Sequence, residues 1–119
     1  MKHTRYADIP AYVTKDGSLI RELMHPTQHG SQQQSLAEAT VHPGQKTTLH
    51  HHHRSEELYH ITAGEGRMTL GKESFMVGTG DTVCITPGTA HCIENTGQTD
   101  LRILCCCAPA YAHSDTEIL

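Results

Sequence analysis

The chain has no tryptophan, one phenylalanine and four tyrosines among 119 residues. A core so poor in large rings must be packed with Ile, Leu, Val, Ala, Cys and Met, and a chain of this length supports one domain with one modest core. No apolar run approaches the ~20 residues that cross a bilayer, so no membrane partner is expected. Basic residues are few, nine against thirteen acidic ones, for a formal charge of −4, and the two signs are interspersed. Without a basic patch, nucleic acid is not an expected partner. The opening MKHTRYADIPAY has no apolar h-region. No signal peptide is therefore read there, and a cytoplasmic protein is expected. Sustained apolar periodicity of 3.6 residues is missing as well, which excludes a helical architecture.

What is present is a series of short runs rich in Val, Ile, Thr and Tyr, separated by Gly, Pro, Asn and Asp. This is an all-β pattern. Strands are expected near Leu19–Met24, Ser35–Val41, Thr47–His52, Glu57–Ala63, Arg67–Leu70, Glu73–Val77, Thr82–Ile85, His91–Asn95 and Leu101–Cys107. Gly71-Lys72 reads as a two-residue hairpin turn. Many short strands at regular spacing point to a sandwich or barrel with an interior pocket. The expected division is an N-terminal segment over 1–17 that packs on a partner subunit, a barrel over 18–109, and a C-terminal tail over 110–119 that is irregular or lies along a neighbour. The five cysteines are Cys84, Cys92 and the run Cys105, Cys106 and Cys107. Their odd count and adjacency fit reduced, partly buried thiols rather than a disulfide framework.

Chemistry concentrates in two stretches. Gly44 to Gly66 reads GQKTTLHHHHRSEELYHITAGEG, and Gly80 to Asn95 reads GDTVCITPGTAHCIEN. On a strand, His50 and His52 share one face while His51 and His53 share the other. Glu57 opens the next strand after a short corner, and His91 opens a strand after the Pro87-Gly88 turn, where a facing strand would aim it inward. Singly, each has an ordinary structural explanation, such as a solvated polar run, a buried histidine or a surface carboxylate. Jointly, His50, His52, Glu57 and His91 form a candidate site for one divalent transition metal: Fe, Mn, Ni, Cu or Zn. The pair His51 and His53 is the second-ranked alternative.

These stretches resemble the two motifs of the cupin superfamily. The first motif runs Gly, five residues, His-x-His, three or four residues, Glu, six residues, Gly, and here Gly44, His50, His52, Glu57 and Gly64 keep that spacing. The second runs Gly, five residues, Pro-x-Gly, two residues, His, three residues, Asn, and here Gly80, Gly88, His91 and Asn95 keep it, with Thr86 in place of the first Pro. The resemblance implies a single-domain jelly-roll β-barrel, a metal near one mouth of its pocket, a small-molecule ligand and a homodimer.

Alternation places Tyr59 and Ile61 inward with Glu57, and Ile93 inward with His91. Ile103, Cys105 and Cys107 are inward if Arg102 faces solvent. Tyr59 is the candidate acid–base group. Arg21, Ile61, Ile93 and Cys105 are the candidate substrate contacts, with a salt bridge at the sheet edge as the competing role for Arg21. Three imidazoles and a carboxylate leave two octahedral positions open, which favours a working metal over a structural one. A small metalloenzyme is expected: a dioxygenase, or an isomerase or lyase on a small oxygenated metabolite. The alternative is a non-catalytic barrel that binds or senses a sugar or other metabolite, because fold alone does not separate the two.

Overall fold

The computed structural model describes residues 2–119. Its strands are β1 (Tyr12–Val13), β2 (Leu19–Met24), β3 (Ser35–Val41), β4 (His50–His52), β5 (Glu56–Ala63), β6 (Glu65–Leu70), β7 (Glu73–Gly78), β8 (Thr82–Ile85), β9 (His91–Asn95), β10 (Leu101–Ala108) and β11 (Thr116–Ile118). They form a six-stranded sheet in the order β1-β2-β3-β10-β5-β8 and a five-stranded sheet in the order β11-β4-β9-β6-β7. All strand pairings are antiparallel. The two sheets close on each other as the expected jelly roll. No helix among the described residues is long and apolar enough to cross a membrane.

The alternation read from the sequence sets the layers. Along β5, Glu57, Tyr59 and Ile61 are buried while Glu56, Leu58, His60 and Thr62 are exposed. Along β10, Leu101, Ile103, Cys105 and Cys107 are buried, and Arg102, Leu104 and Cys106 are less so. Ile61, Ile85, Ile93, Leu101, Ile103 and Met68 fill the space between the sheets. A core of β-branched and other aliphatic side chains, with Met68 among them, thus replaces the missing rings.

The chain changes sheet at Gly64, between β5 and β6. Gly64 has φ +85°, and a Cβ there would sit 2.8 Å from the Asp100 carbonyl oxygen, so only glycine fits the corner. Gly71-Lys72 makes the expected hairpin, with Leu70 opposite Glu73. Thr86 leaves the following turn intact: Thr89 N donates to the Thr86 carbonyl at 3.2 Å, and the two threonine hydroxyls meet at 2.8 Å.

Three differences from the sequence reading matter for the site. β4 begins at His50 rather than Thr47, because Thr48 N donates to the Asp16 carbonyl (2.8 Å) and leaves the ladder. Residues 110–119 are not an irregular tail: β11 pairs with β4, Thr116 opposite His52 and Glu117 opposite His51. Within 1–17, β1 pairs with β2 of its own chain. Both added strands are two or three residues long, too short to show a period.

Asn95 closes β9. Its Nδ2 donates to the carbonyls of Val41 and Thr99, each at 2.8 Å, and its Oδ1 accepts from Gly97 N at 2.9 Å. One buried amide therefore ties β9 to β3 and to the following turn. Asn95→Ala strands these partners, at about 1–3 kcal/mol for a buried group left unpaired. A loss of roughly 2–4 kcal/mol is expected in urea unfolding, and a midpoint unchanged from the parent protein would show the amide to be dispensable.

Candidate metal centre and pocket

His50 and His91 are direct cross-strand partners on β4 and β9, with ring centroids 4.2 Å apart. His52 lies two residues along β4, on the same face, 5.2 Å from His50 and 5.3 Å from His91. The Nε2 or Nδ1 donors of these three rings lie within 4.8 Å of one another. Glu57 comes from β5 in the other sheet, and its Oε1 sits 3.1 Å from His52 Nε2 and 3.5 Å from His91 Nε2. All four side chains are buried. The three imidazoles therefore share one sheet, with His91 beside His50 rather than across from it, and the carboxylate is the group that faces them.

The hydrogen bonds assign the tautomers. A carbonyl only accepts, so Nδ1–H of His50 donates to Thr48 O (2.7 Å) and Nδ1–H of His91 to Thr89 O (2.9 Å). Thr116 Oγ1 donates to Ala112 O (3.0 Å), which leaves it to accept from His52 Nδ1–H (2.9 Å). In the neutral rings every Nε2 lone pair then points at the common centre. His91 Nε2 is buried with no hydrogen-bond partner.

Burial raises the pKa of Glu57, but the neighbouring imidazoles of His52 and His91 outweigh it, and the carboxyl is held down at about 2. Burial, then the neighbouring His91, lowers the pKa of His50 below 6.5. Inward lone pairs facing an ionised carboxylate, with one nitrogen orphaned, need a proton or a cation between them. This donor set fits a divalent transition ion.

The centre opens into a pocket lined by residues of both sheets. Tyr59, Ile93 and Cys105 line it. Ile61 is fully buried in the core and does not reach it. Arg21 turns away: its Nη1 donates to Ile9 O, and its guanidinium stacks on Tyr6 at 4.8 Å. The reason is the pleat of β2, which sends Ile20 and Glu22 inward and Arg21 out. Burial pushes the pKa values of Tyr59 and Cys105 well above their ordinary values, with the Glu57 charge adding to it. Cys107 is raised likewise, and its thiol donates to Glu57 Oε2 at 3.3 Å. Both thiols are protonated beside the carboxylate.

Several pocket groups escaped the sequence reading. Glu22 is 6% exposed, and its Oε1 is buried without a partner. Its Oε2 accepts from Tyr12 OH at 3.3 Å. Burial raises the Glu22 pKa, and burial followed by the Glu22 charge pushes Tyr12 to about 12. Asp16 Oδ2 lies 3.8 Å from His50 Nε2, and Tyr111 packs edge-on to His52 at 5.8 Å. Asp16-Gly17 was a legible hairpin signal: Ser18 N and Oγ both donate to Asp16 Oδ1, at 2.9 and 2.6 Å, and Gly17 has φ +92°. Thr116 and Tyr111 carried no local signal. Among the described residues, no lysine or arginine lines the pocket.

Comparison with known proteins agrees with this geometry. The family described as Cupin domain matches residues 37–107. An uncharacterized protein of Methanocaldococcus jannaschii is 56% identical over 116 residues, 98% of this chain and 93% of that protein. The oxalate-binding protein of Thermotoga maritima is 37% identical over 72% of this chain and 67% of its own length. Among solved structures, a predicted oxalate decarboxylase of Thermotoga maritima superposes with a TM-score of 0.76 at 26% identity, covering 88% of this chain and 96% of that one. The polyketide cyclase RemF of Streptomyces resistomycificus superposes at 0.79 and 24% identity, covering 91% and 79%, a likeness of fold alone. The matched span begins in β3, ends in β10 and contains all four converging side chains, and the chain belongs to the cupin family.

Proposed function

We propose that this cupin is a metal-dependent enzyme that moves protons on a small, neutral, oxygenated molecule, as an isomerase or lyase does. The observation that carries the reading is the pairing of two features in one pocket. Three inward Nε2 atoms converge with an ionised carboxylate, and a buried acid–base group, Glu22, lines the same cavity. A divalent ion held by His50, His52, Glu57 and His91 supplies Lewis acidity toward a carbonyl or hydroxyl oxygen. Glu22 takes a proton from the adjacent carbon or hydroxyl and returns it elsewhere on the molecule. Its raised pKa makes it a better base than an exposed carboxylate, and Tyr12 steadies its second oxygen. On this reading the acid–base role falls to Glu22 rather than Tyr59, whose ring packs edge-on to His91 at 5.9 Å. Asp16, Glu22 and Glu57 line the pocket without a balancing Lys or Arg, which disfavours a strongly anionic substrate.

The second reading is a passive binder of a small carboxylic acid, favoured by the likeness to the oxalate-binding protein of Thermotoga maritima. A homodimer is part of the same proposal. Leu36 and Leu58 flank Cys106 in register on the outer face of the six-stranded sheet, and Cys84 lies beyond Leu58. Leu36 is 36% and Leu58 41% exposed, so a partly exposed apolar row runs across four strands.

Three outcomes test this. Dihydroxyacetone serves as a neutral hydroxyketone probe, and metal-loaded protein in heavy water is expected to accelerate exchange of its C–H hydrogens, followed by NMR. Glu22→Gln is expected to lose roughly 100-fold of that acceleration, and Glu57→Gln to lower metal occupancy with the fold retained. Absence of exchange, together with equal calorimetric affinity for oxalate in metal-loaded, metal-stripped and Glu57→Gln protein, would establish the passive binder.

The pH dependence of the metal-free protein follows from His50. Its folded pKa is depressed below 6.5, so the unfolded chain binds a proton that the fold refuses. Thermal stability is expected to fall as pH drops below about 6.5, and His50→Gln to flatten that slope. Light scattering is expected to find a dimer that Leu58→Glu converts to monomer; a monomeric parent protein would refute the interface.

A further inference from the structure

We propose that the outer face of β4 carries a second divalent-metal site, built from His51, His53 and Glu117. The pleat that sends His50 and His52 inward sends His51 and His53 outward. Their rings lie 4.8 Å apart. Glu117 on β11 is the direct cross-strand partner of His51. Its Oε2 is 3.0 Å from His51 Nε2 and 3.2 Å from His53 Nε2, and the three donor atoms lie within 4.8 Å of one another. One carboxylate oxygen thus draws both imidazole nitrogens to a single point. The backbone is fixed there, because His53 N donates to Asp115 O at 2.9 Å.

Two imidazoles and one carboxylate suit zinc, nickel or copper over magnesium or calcium, which seek oxygen donors alone. The side chains of His53 and Glu117 are each 53% exposed, and that of His51 is 19% exposed, so an ion reaches them from solvent and keeps positions for water. This site does not depend on the inner one being filled. It touches the inner one mechanically. Thr116, next to Glu117 in β11, holds Nδ1–H of His52. An ion across His51, His53 and Glu117 pins β11 onto β4 and keeps that acceptor seated.

The test uses the full chain, stripped with chelator, and Zn(II) alone as probe. Bound zinc is counted by equilibrium dialysis and elemental analysis in the parent protein, His51→Ala/His53→Ala and Glu117→Gln. These side chains are at least partly exposed, and circular dichroism checks the fold. The double variant is expected to bind one equivalent fewer than the parent protein. Glu117→Gln is expected to hold that same equivalent at least tenfold more weakly. Uptake of this equivalent is expected to raise the thermal midpoint of the parent protein and not that of the double variant. If the parent protein takes one zinc and the double variant none, the outer site stands and the inner one fails. Equal zinc uptake by the parent protein and the double variant overturns the outer site.

Discussion

Three imidazoles can face one point only if each has somewhere else to place its second nitrogen. Here that need is met by three oxygens: the carbonyls of Thr48 and Thr89, and the hydroxyl of Thr116. Thr48 and Thr89 each stand two residues before the histidine they serve, outside the strand that the histidine begins. Their carbonyls are free because the ladder has not yet started. A longer β4 would consume the Thr48 carbonyl in sheet pairing and release His50 from its orientation. The late start of β4, an irregularity when judged by strand propensity alone, is a condition for the centre. Second-sphere acceptors of this kind fix ring orientation and raise the basicity of the inward nitrogen.

The pocket adds a second constraint, one of charge. Glu57 is held ionised in the interior by two histidines that are themselves pinned, and Asp16 and Glu22 stand nearby without a cationic side chain. Such an assembly attracts positive charge, and a divalent ion is the economical way to supply it. The protonated thiols of Cys105 and Cys107 complete the wall without competing for that ion as thiolates. The buried oxygen of Glu22 has no donor, and a hydroxyl on the guest molecule is the chemistry that satisfies it.

Most of the barrel was legible because period-2 alternation survives in each long strand. β2, β3, β8 and β9 have the bounds their residues suggested, and β5 and β10 bury the side chains the alternation selected. The four converging side chains were legible because their spacing is local: two on one strand, one after a corner, one after a Pro-Gly turn. Long-range groups were not. Thr116 meets His52 across 64 residues, and only the pairing of β11 with β4 brings them together. Glu22 and Arg21 are neighbours whose roles depend on the phase of β2. In β2 the apolar residues flank a charged pair and leave that phase open, so Arg21 looked as available as Glu22.

The histidine run has a consequence for mutational history. Where side chains alternate, a single-residue insertion or deletion usually inverts a strand and exposes its buried set. In β4 the inversion exchanges His50 and His52 for His51 and His53, and imidazoles still point to the interior. The strand is redundant against frame slippage in a way that His91, the single histidine of β9, cannot match. Insertions and deletions between Gly44 and His50 should therefore be tolerated more readily than those between Gly80 and His91.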